Sequence, residues 1–350
     1  MPEYLAPGVY VEEVSFRSKS IEGVSTSTAG FVGRTERGPR DAPHVVHGFY
    51  EFEQTFGNEC HLAHAVRAFF AQGGNKLFVQ RVTGSKDYAR GLQLLETVRE
   101  ISTVAAPGED AADELVDHAT RCNRFAVLDS AKGQTLEDVL AVRERIDSPH
   151  AALYYPWVRV DGDVVAPSGF VAGFYARIDA ERGIWKAPAG EALVDAAGLE
   201  TTLTQSDLEL LVSRGVNPLR VLEGGEVAVW GARTTSSDPE WKYVNIRRLV
   251  TYLEHSIDRG TQWTVFEPNG EPLWRSVRET ISEFLFELWR AGALAGRTPE
   301  ESFYVKCDRG TMTQSDLDEG LLVCLVGVAP VRPAEFIDIR IGRWTADHCP

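Results

Sequence analysis

Sulfur is scarce in this chain, with two methionines and five cysteines in 350 residues. Cys60, Cys122, Cys307, Cys324 and Cys349 are scattered and odd in number, which argues against a disulfide framework and suits a reduced cytoplasm. Long apolar runs are also missing. The longest, residues 321–331, is interrupted by Gly327 and Pro330 and falls far short of the roughly 20 residues that cross a bilayer. Met1-Pro-Glu-Tyr4 offers neither a basic nor an apolar leader region, so the expected product is soluble and cytoplasmic, with no export signal and no membrane insertion. Positive charge is in deficit: 36 basic residues face 51 acidic ones, a net charge of −15. That balance excludes general nucleic-acid binding, which needs basic faces to displace counterions. It also sets copies of the chain against one another unless charges pair locally.

Catalytic patterns are absent too. Gly33-Arg-Thr-Glu-Arg-Gly38 has the glycine spacing of a phosphate loop, but Pro39 stands where the lysine belongs, so it reads as a turn. Cys60, His61 and His64 supply three metal ligands and no fourth, which reads as a helix start. The loop Ala106-Pro-Gly-Glu-Asp110 follows a predicted strand, where α/β enzymes place their sites. It has no GxGxxG and no partner base. There is no GxSxG elbow, and the eight histidines are not grouped with a nucleophile. Asp308, Asp316 and Asp318 miss a calcium-loop spacing. Cys307 and Cys324 lie in apolar strands and read as core; Trp185, Trp230 and Trp289 read as core or subunit contacts. No catalytic residue, metal or cofactor is expected.

What is present is a regular alternation. Strands are predicted at Ala29–Val32, Leu77–Val79, Ile101–Ala105, Phe125–Leu128 and Ala152–Tyr155. Between them, helices are predicted around Leu62–Phe70, Ala111–Cys122 and Leu136–Ile146. Short apolar runs separated by helices indicate a parallel, helix-covered sheet. A helix over Ser168–Ala180 should end near Gly183, and Ser206 with Glu209 offers a capping box. Glu223-Gly-Gly-Glu226 can turn a hairpin between Val216–Leu222 and Val227–Trp230. Ile246, Leu249, Val250, Leu253 and Ile257 line one long helix stopped by Gly260. Trp274, Val277, Ile281, Phe284, Leu285 and Leu288 line a second, from near Pro272 to Gly292. Strands at Phe303–Cys307 and Leu321–Val328 follow. At the two ends, Val9-Tyr-Val11 and the alternating Phe336-Ile-Asp-Ile-Arg-Ile341 are strand-prone and set off by Pro and Gly.

Several segments carry a family likeness. They are Tyr4-Leu-Ala-Pro-Gly-Val-Tyr-Val-Glu-Glu13 and Ile21-Glu-Gly-Val-Ser-Thr-Ser-Thr-Ala-Gly-Phe-Val-Gly33 at the start, then Trp241-Lys-Tyr-Val-Asn-Ile-Arg-Arg-Leu249. Gln262-Trp-Thr-Val-Phe-Glu-Pro-Asn269, Phe303-Tyr-Val-Lys-Cys-Asp308, Gly327-Val-Ala-Pro330 and Pro333-Ala-Glu-Phe336 follow in order. In this order they resemble the contractile tail sheath proteins of phages, R-type bacteriocins and phage-tail-like injection systems. The likeness holds roughly the first 40 and the last 110 residues; the middle carries no motif as firm.

The resemblance implies a two-lobed α/β subunit, with mixed or parallel sheets covered by helices and extended N- and C-terminal β arms. The expected divisions are an arm over 1–22, part of the body over 23–90 and a middle, outer lobe over 91–240. An inner, tube-facing domain over 241–330 and a second arm over 331–350 complete the chain, the inner lobe also taking in N-terminal segments. The arm residues Val9, Tyr10, Val11, Val14, Phe336, Ile337, Ile339 and Ile341 would add strands to neighbouring subunits. Arg275, Arg278 and Glu279 on the second long helix, and secondarily Arg247 and Arg248 on the first, would contact the tube. The bland readings are arms folded back on their own body and a merely solvated helix face. The implied partners are further copies of the chain in stacked rings, an inner tube protein, and baseplate and terminal cap proteins. Assembly would occur in the producing cell's cytoplasm, within a particle that can be released. A chain this short suggests a compact sheath, as in bacteriocin-like or extracellular injection particles. Two other readings stand beside it: a specialised or baseplate-proximal paralogue, and an α/β enzyme acting on a small molecule.

Overall fold

Apolar runs only three to six residues long, too short to span a core alone, pair side by side in the computed structural model, which describes residues 20–335. They are β1 (Ala29–Arg34), β2 (His44–Val46), β3 (Leu77–Val82), β4 (Thr103–Ala105), β5 (Phe125–Asp129) and β6 (Ala151–Tyr155). Three short strands follow, β7 (Val158–Val160), β8 (Asp163–Val165) and β9 (Gly198–Leu199), then β10 (Val216–Val221) and β11 (Val227–Val229). Eight of them form one sheet in the order β11-β10-β6-β5-β4-β1-β3-β2. Pairing is parallel from β10 to β3, and only the edge strands β11 and β2 run antiparallel. β7, β8 and β9 make a separate three-stranded sheet.

The helices sort onto the two faces by side-chain alternation along the strands. Phe31, Val79, Phe125, Val127 and Tyr154 pack against α1 (Phe49–Phe56), α2 (His61–Ala71) and α6 (Pro167–Arg182). Their neighbours Val32, Phe78, Val104, Ala126 and Leu153 pack the other way. They meet α3 (Tyr88–Leu95), α4 (Ala112–Arg121), α5 (Leu136–Arg145) and α7 (Gln205–Ser213). Apolar side chains on both faces are what a fully covered parallel sheet requires. α2 and α6 cross closely: a Cβ on Gly173 would lie 2.3 Å from the Phe69 carbonyl oxygen, so only glycine fits there.

This sheet joins what the sequence divided. Strands from residues 29–82 lie inside it, beside β4. Of the early chain, it is the segment around Ile21 that packs with the C-terminal helices. Two local expectations also change. The α7 box is Thr204 with Asp207, reciprocally bonded through Thr204 Oγ1 and the Asp207 carboxylate; an extended Thr204 starts the helix before Ser206 can cap it. Gly260 does not stop its helix. It lies inside α8 (Val244–Thr261), where a Cβ would sit 2.6 Å from Ile21.

The second core is helical. Leu249 and Leu253 of α8 meet Trp274, Val277, Ile281, Phe284 and Leu285 of α9 (Glu271–Arg290). α10 (Pro299–Ser302), β12 (Phe303–Lys306), α11 (Gln314–Asp318) and β13 (Leu325–Val328) complete it, with β12 and β13 antiparallel. The strand pair and both long helices agree with the sequence reading, although β13 is shorter than expected.

A buried ion pair joins the two cores. Arg248 of α8 donates through Nη1 and Nη2 to Asp179 of α6 at 3.0 and 2.6 Å, both side chains being 3% exposed. The guanidinium also donates to the Thr26 carbonyl and lies 4.5 Å from the Tyr175 ring centre. Burial pushes the Asp179 carboxyl up even though Arg248 pulls it down, so the pair costs desolvation and is intolerant of losing one member. Arg248→Met should destabilise the protein by about 3–5 kcal/mol in urea unfolding, and adding Asp179→Leu should recover much of that loss.

Candidate assembly surface

Helical period places α9 with one face in the core and the other in water. On the exposed side stand Arg275, Glu279, Glu283, Phe286 and Glu287. Glu287 pairs with Arg290 at 3.0 Å. Among the described residues, Arg275, Glu279 and Glu283 have neither an ion pair nor a side-chain hydrogen bond. Arg278 is half-buried and donates to the Cys307 carbonyl at 3.3 Å, so it braces β12 as well as contributing charge. Arg247 and Arg248 stand differently. Arg247 is 6% exposed, bonded to Thr251 and Glu254, and stacked over Trp241. Arg248 is committed to Asp179. Both charges are spent inside the subunit, because α8 faces the α/β body on that side.

Next to α9 lies the two-stranded sheet. Phe303, Val305 and Val328 turn inward onto the helical core. Tyr304 and Leu325 turn outward, 54% and 48% exposed, and Tyr304 lies across Gly327 in register. Beyond the ladder, Ala329 pairs with Ser302 and Ala295 on the β12 side. The opposite edge of β13 is therefore unpaired among the described residues. An exposed edge with apolar side chains is a template for a further strand.

The chain reaches Glu335 at a built anchorage. Arg233 Nε and Nη2 each donate to a different oxygen of its carboxylate at 2.7 Å, and Lys242 Nζ and Tyr243 Oη both reach Oε2 at 3.0 Å. Burial pushes this carboxyl up, but the hydrogen bonds from Arg233 and Lys242 and the Arg233 charge outweigh it and bring it down to about 2. Asn245 donates to the Trp185 and Val331 carbonyls. The sequence segment from Trp241 to Leu249 thus holds the segment ending at Glu335, which explains its residue choices. In the same way Asn269 accepts from Trp274 Nε1 and donates to the Leu321 carbonyl, fixing the start of α9. Glu335 was legible as part of a motif; Arg233, in a featureless stretch, gave no signal. The arm residues Val9, Tyr10, Val11, Val14, Phe336, Ile337, Ile339 and Ile341 lie outside the described residues.

The places where chemistry might have been housed are filled by internal bonds. At the carboxyl edge of the sheet Asp129 accepts from Ser168 Oγ, Ser168 N and Gly108 N, while Glu109 takes a bidentate pair from Arg34. The glycine-spaced loop after β1 turns its carbonyls toward Arg81, which bonds Thr35, Glu36 and Gly38. A phosphate site needs amide N–H groups instead. Among the described residues, Glu96, His118 and Cys122 converge closely enough to suggest a metal site. There Arg124 Nη1 sits 2.9 Å from His118 Nε2. A guanidinium only donates, so Nε2 must accept and the proton sits on Nδ1, the atom a metal would need. Burial, with Arg124 and Arg121 nearby, lowers His118 to about 4, and two cations further disfavour a third.

The matches to known proteins agree with this geometry. The model of the phage tail sheath protein central domain matches residues 82–235, and that of the phage tail sheath C-terminal domain matches residues 236–342. The chain belongs to the phage tail sheath family. It superposes on the sheath of an extracellular contractile injection system, the PVC sheath complex in its contracted state. The TM-score is 0.87 at 31% identity, over 99% of this chain and 100% of that one. A chain of the anti-feeding prophage (AFP) baseplate matches with TM-score 0.83 and 29% identity, over 98% and 100%. A prophage major tail sheath protein of Pseudomonas aeruginosa is 25% identical over 68% of this chain, which spans 64% of that protein's length. Membership in a structural family answers the small-molecule enzyme alternative. No helix among the described residues is long and apolar enough to cross a membrane.

The Glu335 anchorage in this sheath protein carries a pH signature. The native carboxyl lies near 2, below the roughly 4.3 of an unfolded glutamate. Its stabilisation is therefore complete above the unfolded value and disappears as pH falls through the native one. The gap in urea midpoint between wild type and Glu335→Gln should be full at neutral pH and should close progressively between about pH 4.3 and 2.

Proposed function

We propose that this chain is the main sheath subunit of a compact contractile injection particle. Copies stack as rings around an inner tube in a metastable extended state. On triggering they reorient into a shorter, more stable lattice that drives the tube through a target envelope. The observation that carries this reading is the β13 edge, unpaired among the described residues, together with the anchorage of Glu335. Glu335, the last described residue, is held by Arg233, Lys242 and Tyr243, and one edge of the two-stranded sheet, unpaired among the described residues, can take a strand from a neighbour. Residues 336–341 supply the alternating sequence such a strand needs. Each added strand contributes several backbone hydrogen bonds at about 0.5–1.5 kcal/mol apiece, enough to tether bodies that rotate. The exposed charges of α9 face the tube in this arrangement. Exposed ion pairs are weak singly and readily broken, which suits a grip that must be released. The near-complete match to the PVC sheath supports the compact injection-system type over a large phage tail.

A baseplate-proximal paralogue is the second reading, favoured by the match to the AFP baseplate chain. Negative-stain microscopy of the protein alone and with its tube protein separates them: long striated cylinders support the main sheath, and short closed rings in both samples support the paralogue. Deleting residues 336–350 should leave a folded subunit, with unchanged circular dichroism, that forms no tubes. Tubes of normal length from that deletion would refute the arm assignment. Arg275→Glu, which breaks no ion pair or side-chain hydrogen bond among the described residues, should weaken tube-dependent assembly at low salt by roughly tenfold while leaving unfolding unchanged. Co-sedimentation with the tube protein across a salt series measures this, and undiminished pelleting would move the contact off α9.

A further inference from the structure

We infer that Cys307 and Cys324 form a dithiol that closes to an intramolecular disulfide when the protein meets a small-molecule disulfide. The β12–β13 register pairs Phe303 with Val328, Tyr304 with Gly327, Val305 with Val326 and Lys306 with Leu325. The next step along the ladder sets Cys307 against Cys324. Ala329 N donates to Ser302 O at 2.8 Å, which makes 302/329 a hydrogen-bonded pair. Alternate pairs, 303/328, 305/326 and by continuation 307/324, are then the closer kind, with Cα atoms about 4.5 Å apart. That spacing lies within the range that disulfides span. The two side chains lie close enough for each to shift the other's pKa, and both are free thiols. The other described cysteines, Cys60 at the start of α2 and Cys122 at the end of α4, belong to the α/β body and are not candidates for this link.

The two sulfurs have different access. Cys307 is fully buried, while Cys324 is part-exposed. Exchange begins where the oxidant can reach. Cys324, as thiolate, attacks one sulfur of the small disulfide, breaks its S–S bond and expels one thiolate. Cys307, having given up its proton, then attacks the Cys324 sulfur and expels the second. The protein loses two protons and two electrons, and the small disulfide becomes two thiols. Burial and the neighbouring Cys307 hold the Cys324 thiol up at about 12, so the pair stays reduced through brief exposure and closes slowly, faster as pH rises. The link shuts the 308–323 excursion, α11 included, at its base and pins the start of β13. This chemistry stands whether or not the sheet receives a neighbour's strand.

The test uses the full-length protein, incubated with oxidised glutathione at mildly alkaline pH, alkylated, digested and mapped by mass. The expected product is one peptide pair joining Cys307 to Cys324, lighter by two hydrogens than the reduced peptides. The oxidised protein should melt at a higher temperature, reversibly with dithiothreitol. Cys307→Ser should accumulate a stable glutathione adduct on Cys324, and Cys324→Ser should give none on Cys307. Separate glutathione adducts on both cysteines of the wild type would overturn the inference. So would a link to another cysteine, or persistence of both thiols while urea-unfolded protein oxidises.

Discussion

One carboxylate and one guanidinium held out of water, Asp179 and Arg248, decide how this subunit is put together. Neither charge could stay buried alone, so α6 and α8 must meet at one rotation and one depth, with Thr26 brought in as a third partner. From that meeting α8 presents the rest of its N-terminal segment. Asn245 takes the Val331 carbonyl, and the adjoining Lys242 and Tyr243 take Glu335. The position of Glu335, the last described residue, is therefore set through one helix. The specificity is gained at the expense of desolvation, and a subunit that must keep one shape under load has use for such an arrangement.

The charges fall into two populations. Those inside are locked: Arg81, Arg124, Arg233, Arg247 and Arg248 all satisfy carbonyls or carboxylates of their own chain. Those on the outer side of α9 are largely free. With a net charge of −15, exposed charges of this second kind, on α9 and elsewhere on the surface, are the ones open to partners. They respond to ionic strength in a way that the fold itself does not.

Much of this was legible beforehand. Short apolar runs located the central strands, and a period of 3.6 located both long helices, because burial there is nearly complete and the apolar faces are unbroken. The smaller pieces escaped. α1, α3 and the β7–β9 sheet were not foreseen, since helices of eight residues and strands of two or three leave too few positions for a period to emerge. The merging of residues 29–82 into the same sheet as 103–229 was hidden because strand order is long-range information that no local pattern carries. Arg248 looked like surface charge because nothing local distinguishes a solvated arginine from one whose carboxylate lies 69 residues away. The segments around Trp241 and Asn269 were recognised by likeness, and their physical roles became clear only with the partners in place.

The large sheet carries a consequence for fidelity. Its two borders are strands of three residues, β2 and β11. The outer border of β11 is already taken by residues 190–193, whose Gly190 and Leu193 amides donate to Val229 and Val227. Eight strands thus offer almost no sticky margin. Where identical bodies crowd together, a broad sheet with open borders would invite cross-seeding and misregistered clumps. By muting its largest sheet while one edge of the two-stranded sheet stays unpaired among the described residues, the molecule limits where a further strand can add.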